Sequence, residues 1–204
     1  MSKIVVFNSV TLDGVMQAPG RPDEDTRGGF EHGGWARPYV DQVMGEVMAK
    51  GMANGMATGG SLLLGRRTYE DFYSYWPNQK GDPISEVLDT THKYVASRTL
   101  TEPLQWQNST LLAGDAAEAV AELKKQPGPD IMVLGSGALL QSLIRHNLID
   151  AYTLLIHPLL LGSGRRLFDD DHATRTNLRL VDLVTTTTGV IIATYEPADA
   201  SAKE

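Results

Sequence analysis

Apolar positions change their period along the chain, and the changes mark out elements. Residues 3–10, KIVVFNSV, carry a β-branched run that predicts a buried strand. A polar stretch rich in Gly and Pro follows from Thr11 to Arg37, long enough to read as a binding loop or lid. Pro38 then stands where a helix can begin. Val40, Val43, Met44, Val47 and Met48 lie on one helical face, and Lys50-Gly51 reads as the stop. Ser61 to Leu64 predicts a second strand, ended by Gly65, with a polar-aromatic helical turn over Arg67 to Phe72.

The alternation continues. Ile84, Val87 and Leu88 predict a short helix; Lys93 to Ala96 and Thr110 to Ala113 predict strands. Asp115 is spaced as an N-cap with Glu118 three residues on, and Lys124 and Lys125 suit the negative end of that helix. Ile131 to Leu134 is a fifth strand, closed by Gly135-Ser136-Gly137 and followed by a helix burying Leu139, Leu140, Leu143 and Ile144. Tyr152 to Ile156 is a sixth. Leu180 to Thr187 and Val190 to Tyr195 read as a hairpin turning near Gly189. Strands alternating with helices, then strands alone, predict a three-layer α/β architecture: a mainly parallel central sheet with an antiparallel C-terminal hairpin. One domain over 1–197 and a polar tail at 198–204 are expected.

Composition narrows the function classes. The net charge of -7 argues against bulk attraction to nucleic acid or an anionic membrane surface. No apolar run reaches membrane-spanning length, and Met1 to Val10 lacks the pattern of a signal peptide. The chain has no cysteine, which excludes disulfides and thiolate chemistry and fits a reducing, cytoplasmic setting. The histidines at 32, 92, 146, 157 and 172 show no metal-ligand spacing, so no metal site is expected. Gly135-Ser136-Gly137-Ala138-Leu139-Leu140 begins like a dinucleotide fingerprint but lacks the third glycine and comes late in the chain. No Walker-type loop and no Gly-x-Ser-x-Gly elbow occur.

Three strand ends share one chemistry: Gly65-Arg66-Arg67-Thr68, Ser97-Arg98-Thr99 and Gly135-Ser136-Gly137-Ala138. Open α/β sheets bind ligands beyond the carboxyl ends of their strands. Glycine lets a phosphate approach the backbone, a helix N-terminus offers N–H groups, and arginine offers a charged fork. Any one such turn is ordinary punctuation; three together point to a ligand with several phosphates.

These segments carry a resemblance. LLLGRRTYEDF at 62–72, YVASRTL at 94–100 and IMVLGSGALLQSLI at 131–144 are similar to the corresponding strand–turn segments of dihydrofolate reductases. SVTLDGVMQAPG at 9–20 and HPLLLGSGRRLF at 157–168 resemble the reductase domain of the bifunctional riboflavin-biosynthesis deaminase–reductase and its free-standing relatives. The resemblance implies a dihydrofolate-reductase-like fold, NADPH as cofactor, hydride transfer to a C=N or C=O of a pyrimidine or pterin-like compound, and a homodimer. Gly65, Arg66, Arg67 and Thr68 would then hold the pyrophosphate and adenosine side. Ser97 and Arg98 would meet the 2′-phosphate. Gly135, Ser136, Gly137, Ala138 and Leu139 would wrap the pyrophosphate.

By the same resemblance Gly14 and Val15 would lie near the nicotinamide, beside Asp13 in a catalytic, orienting role. Trp35, with Phe30, reads either as a stacking wall for a flat heterocycle or as an anchor for the long loop. Tyr69 is a candidate to touch ligand, and Arg165 either binds a substrate phosphate or belongs to a surface turn. Asp41 falls roughly where dihydrofolate reductases place the acid that binds the pterin, but the expanded loop before it departs from that pattern. Dihydrofolate reductase and a non-catalytic NADPH- or metabolite-binding protein are the alternative functions.

Overall fold

The computed structural model describes residues 1–168 and 175–198; His172 and the rest of the polar tail, 199–204, lie outside them. Its strands are β1 (Ile4–Thr11), β2 (Ser61–Gly65), β3 (His92–Ser97), β4 (Ser109–Ala113), β5 (Ile131–Leu134), β6 (Ala151–His157), β7 (Leu178–Thr185) and β8 (Ile191–Pro197). They form one sheet in the order β4-β3-β2-β5-β1-β6-β8-β7. The pairings from β4 to β6 are parallel, and β8 is antiparallel to both β6 and β7. The expected mainly parallel sheet with an antiparallel C-terminal hairpin is what forms.

Helices α1 (Gln42–Ala57), α2 (Arg66–Tyr75), α3 (Pro83–Thr90), α4 (Ala116–Lys125) and α5 (Gly137–Arg145) cover the two faces. Strand alternation sorts the side chains. Ile4, Val6, Leu63, Ile131 and Val133 point to one face and pack on Val120 and Leu123 of α4 and Leu140 and Leu143 of α5. Leu62, Leu64 and Val95 point to the other and pack with Tyr69 of α2, Leu88 of α3 and Trp106. On that same face Leu155 and Ile192 meet Met44 of α1. Each fully buried side chain of this kind contributes about 1.5–3 kcal/mol.

Helix α1 differs from its sequence expectation at both ends. Pro38 belongs to a separate 3-10 turn, Arg37–Tyr39, and α1 begins after Asp41, whose carboxylate accepts the Met44 N–H at 2.8 Å. Lys50-Gly51 does not stop it, because glycine lowers helix propensity without breaking the hydrogen-bond ladder. The stop is Gly59, in the left-handed region (φ 71°), where the Gly60 N–H returns to the Gly55 carbonyl at 2.6 Å. The α4 cap is as expected: Asp115 accepts from the N–H groups of Ala117 and Glu118.

The order of strands locates the crevice. β1 and β2 are followed by helices on one face, whereas β5, which lies between them, is followed by α5 on the other. The chain therefore parts over the C-terminal end of β5, at Gly135-Ser136-Gly137, and a ligand groove opens there.

Candidate functional site

A cleft of about 1790 Å³ runs from this point between α1 and the α2–α3 pair. Its floor is apolar, with Phe7, Met132, Leu134 and Leu155 from the strands and Met44, Met48, Phe72 and Trp76 from the helices. Its outer part, along the strand ends, is polar. Gly65, Arg66, Arg67, Thr68, Ser97, Arg98 and the run from Gly135 to Leu139 all line it. The three strand ends that share a chemistry in the sequence therefore share one cavity.

The turns after β2 and β5 are bolted together by one hydroxyl. Ser136 Oγ accepts the Gly65 N–H at 2.7 Å and donates to Thr68 Oγ1 at 2.7 Å. Ser136 itself sits at φ 65°, and a Cβ on Gly65 would stand 2.9 Å from its Oγ, so the two turns approach only because residue 65 is glycine. Asn8, buried in β1 just past its last pairing with β5, accepts the Gly135 N–H at 3.0 Å through Oδ1. Sequence reasoning missed Asn8, since its partner lies 127 residues away and nothing local marks it.

The helix starts that border the cleft are of two kinds. α3 and α4 carry side-chain caps, Asp82 and Asp115. α2 and α5, which begin at Arg66 and Gly137 on the cleft wall, have no side-chain cap. Their first N–H groups and the positive ends of their dipoles are left to water or to an anion. Charge follows the same logic: eight of the chain's eleven arginines line the cleft, against five carboxylates, in a molecule of net charge -7. A polyphosphate end beside an apolar slot is the ligand that this arrangement fits.

Comparisons with known proteins give the family and the fold. The model of the RibD C-terminal domain matches residues 2–192. The chain belongs to the RibD C-terminal domain family. Among curated relatives it is 36% identical over 140 residues to YyaP, an uncharacterized protein of Bacillus subtilis (strain 168), covering 66% of this chain and 72% of YyaP. Among solved structures it resembles a putative riboflavin biosynthesis protein from Shewanella sp. PV-4 (TM-score 0.66, 20% identity, 96% of this chain and 99% of that one). It also resembles a dihydrofolate reductase from Enterococcus faecalis complexed with NADP(H) (TM-score 0.57, 14% identity, 97% of each chain). The two structural likenesses establish a dihydrofolate-reductase-like fold.

In this RibD-family chain the long loop after β1 crosses the cleft and is clasped to α2. The Arg21 guanidinium stands 2.5 Å from an Asp71 carboxylate oxygen and lies 4.4 Å above the Tyr75 ring. Glu24 accepts the N–H groups of Gly20 and Arg21, and burial pushes its carboxyl above the usual range. Gln17 is the loop's buried hub. Its amide donates to the carbonyls of Asp25 and Arg27 and accepts the Arg165 N–H, which fixes Arg165 on the cleft rim. Arg165 therefore lines the cleft, held through Gln17.

Five expected site residues stand away from the cleft wall. The Asp13 carboxylate is occupied by Thr11 Oγ1 at 2.5 Å and by the N–H groups of Leu161 and Gly162. Chiefly through the Thr11 bond, its carboxyl is held below the usual range, so it is an ionised anchor for the 160–162 turn and no proton donor. Gly14 and Val15 pair with the strand-like segment at Arg166 and Leu167, and Val15 is fully buried. Tyr69 is a core residue whose hydroxyl accepts the Trp106 N–H at 2.7 Å. Of the two readings of Trp35, the geometry is that of the anchor: it is buried, and its indole N–H donates to the Gln17 carbonyl at 2.7 Å.

Two other sequence expectations resolve here. Asp41 caps α1 and accepts from the Thr187 N–H and hydroxyl; it is not part of the cleft lining. His157 lines the back of the cleft yet is fully buried, edge-on to Trp35 and Tyr39. Burial lowers its pKa, Nδ1 faces the Leu155 carbonyl at 2.9 Å, and Nε2 has no hydrogen-bond partner among the described residues. A neutral ring donating from Nδ1 leaves Nε2 as a bare acceptor. Among the described residues no three His, Cys, Asp or Glu side chains come together as a metal-binding group.

Proposed function

We propose that the protein is an NADPH-dependent reductase that transfers hydride to a C=N or C=O of a pyrimidine or pterin-like heterocycle, of the riboflavin-biosynthesis reductase type. The observation that carries this reading is the pair of uncapped helix starts, α2 and α5, facing one arginine-lined cleft. In this reading Gly65 to Thr68 and Gly135 to Leu139 hold the pyrophosphate between them. Arg98, with Arg66, meets the adenosine 2′-phosphate. The apolar floor takes the nicotinamide and the heterocycle, and Arg165 meets a polar group of the substrate.

The bound cofactor supplies the hydride. The chain's own part is to hold two flat rings in contact, and to keep water away under the Arg21 clasp. Asp13 is given a supporting role, holding the turn that carries Arg165. The placement of Asp41 outside the cleft disfavours folate as the substrate. The absence of cysteine from the chain supports a cytoplasmic setting. An exposed apolar row on the edge strand β7 (Leu178, Leu180, Val181 and Leu183, 39–52% exposed) supports a homodimer that covers it.

The test is a titration of thermal stability with NADPH and with NADH. A ligand at a hundred times its Kd stabilises by about 2.7 kcal/mol, roughly 5–10 °C in Tm for a chain of this size. NADPH is expected to raise Tm and to be oxidised when aminopyrimidines or pterins are added. No shift with either nucleotide would overturn the cofactor assignment; a shift without oxidation of NADPH by any such compound would leave a binding protein.

A further inference from the structure

The outer end of the cleft holds a carboxylate that competes with a 2′-phosphate for Arg98. β3 and β4 are parallel neighbours, with Ser97 opposite Ala113, so the residues that follow them, Arg98 and Asp115, emerge side by side on the rim. Arg98 Nη2 donates to Asp115 Oδ2 at 2.8 Å. The other oxygen, Oδ1, accepts from the Ala117 and Glu118 N–H groups at the start of α4. Those bonds, the one from Glu118 foremost, hold the Asp115 carboxyl below its usual range, so it is ionised wherever the protein is folded at neutral pH.

A phosphate monoester brings about -1.5 to -2 charges. It would meet one guanidinium already neutralised by a carboxylate that is pinned in place by a helix. A ribose 2′-hydroxyl, in contrast, can donate to that same carboxylate. Arg98 is 75% exposed, so its pairing with Asp115 is made at the open rim of the cleft.

We infer that Asp115 is a specificity-determining residue: by competing for Arg98 it reduces the preference for a 2′-phosphorylated dinucleotide and allows the unphosphorylated one to bind. The inference rests on the reading of the cleft as a nicotinamide-dinucleotide site. Asp115→Asn is a clean probe, because asparagine caps a helix as well as aspartate does while removing the charge. Asp115→Ser, a second good cap without charge, guards against a folding artefact.

Dissociation constants are to be measured by calorimetry for NADPH and NADH, and for adenosine 2′,5′-bisphosphate and 5′-AMP as fragments without nicotinamide. Both variants are expected to widen the preference for the 2′-phosphorylated member of each pair by roughly two- to fivefold, the scale of an exposed ion pair. An Arg98→Ala background should abolish the change. An unaltered or narrowed preference in variants of unchanged Tm overturns the inference while leaving the dinucleotide site standing. If no nucleotide binds the unmodified protein, the dinucleotide reading falls, and this inference with it.

Discussion

Ser136 shows how little local sequence says about a contact that spans the sheet. The Gly-Ser-Gly turn is legible as a place where a backbone comes close to something. That its hydroxyl turns back to Gly65 and Thr68, 71 and 68 residues earlier, follows only from β5 lying beside β2. Asp13 is the converse. An Asp-Gly step after a strand reads equally as a turn or as a functional acid, and the choice is made by Leu161 and Gly162, 148 and 149 residues on.

Lys93 was legible only as the start of a strand, yet it is fully buried. Its ammonium donates to the carbonyls of Leu88 and Thr91 and lies 4.5 Å from the Trp106 ring centroid. Burial lowers its pKa from 10.5 to about 8. For a base with a depressed folded pKa, the penalty on the charged form is complete below about pH 8 and disappears as pH rises towards 10.5. The protein is therefore expected to gain stability over that window relative to Lys93→Met, by at most about 3 kcal/mol. Urea midpoints taken at intervals across it check this, and parallel curves for the two proteins would contradict it.

At the scale of elements, the period of apolar residues was enough to find every strand and most helices, because each buries one face and its pattern is local. Loop geometry was not legible, since the loop after β1 is organised by side chains rather than by its own hydrogen-bonded pattern. Gln17 gathers the Asp25, Arg27 and Arg165 backbones, and Arg21 reaches Asp71 on α2. In the proposed reading the loop is a lid, and Arg21 is its clasp to α2. Arg21→Ala is expected to speed trypsin cleavage after Arg27 severalfold in the free protein. Saturating NADPH is expected to slow that cleavage in the unmodified one. Equal cleavage rates in all three samples would show that the loop is fixed by its Gln17 hub alone.

For the whole molecule, the exposed face of β7 is the feature that the alternating pattern concealed, because a strand of apolar residues reads as buried wherever it lies in a sheet. Here it is the outermost strand, with Leu180 49% and Leu183 52% exposed. Leu183→Lys is expected to leave the fold intact and convert a dimer to a monomer in sedimentation equilibrium, since a like charge would face its copy across the interface. A monomeric unmodified protein would remove the homodimer instead.

The position of β5 in the sheet also bears on how the molecule is made. β1 and β2 have no common neighbour until residues 131–134 slot between them. A nascent chain that has emerged only as far as α4 holds the β2-β3-β4 block on one side and β1 on the other, joined by a long crossover with no ladder to close it. The central seam is then zipped by a strand of four residues, and each of its hydrogen bonds joins segments about seventy or more positions apart. Closing loops of that span costs entropy before any contact repays it, which predisposes the domain to slow, late folding. In the proposed reading the turn at the end of that strand holds the pyrophosphate, so ligand binding would wait for the centre of the sheet to close.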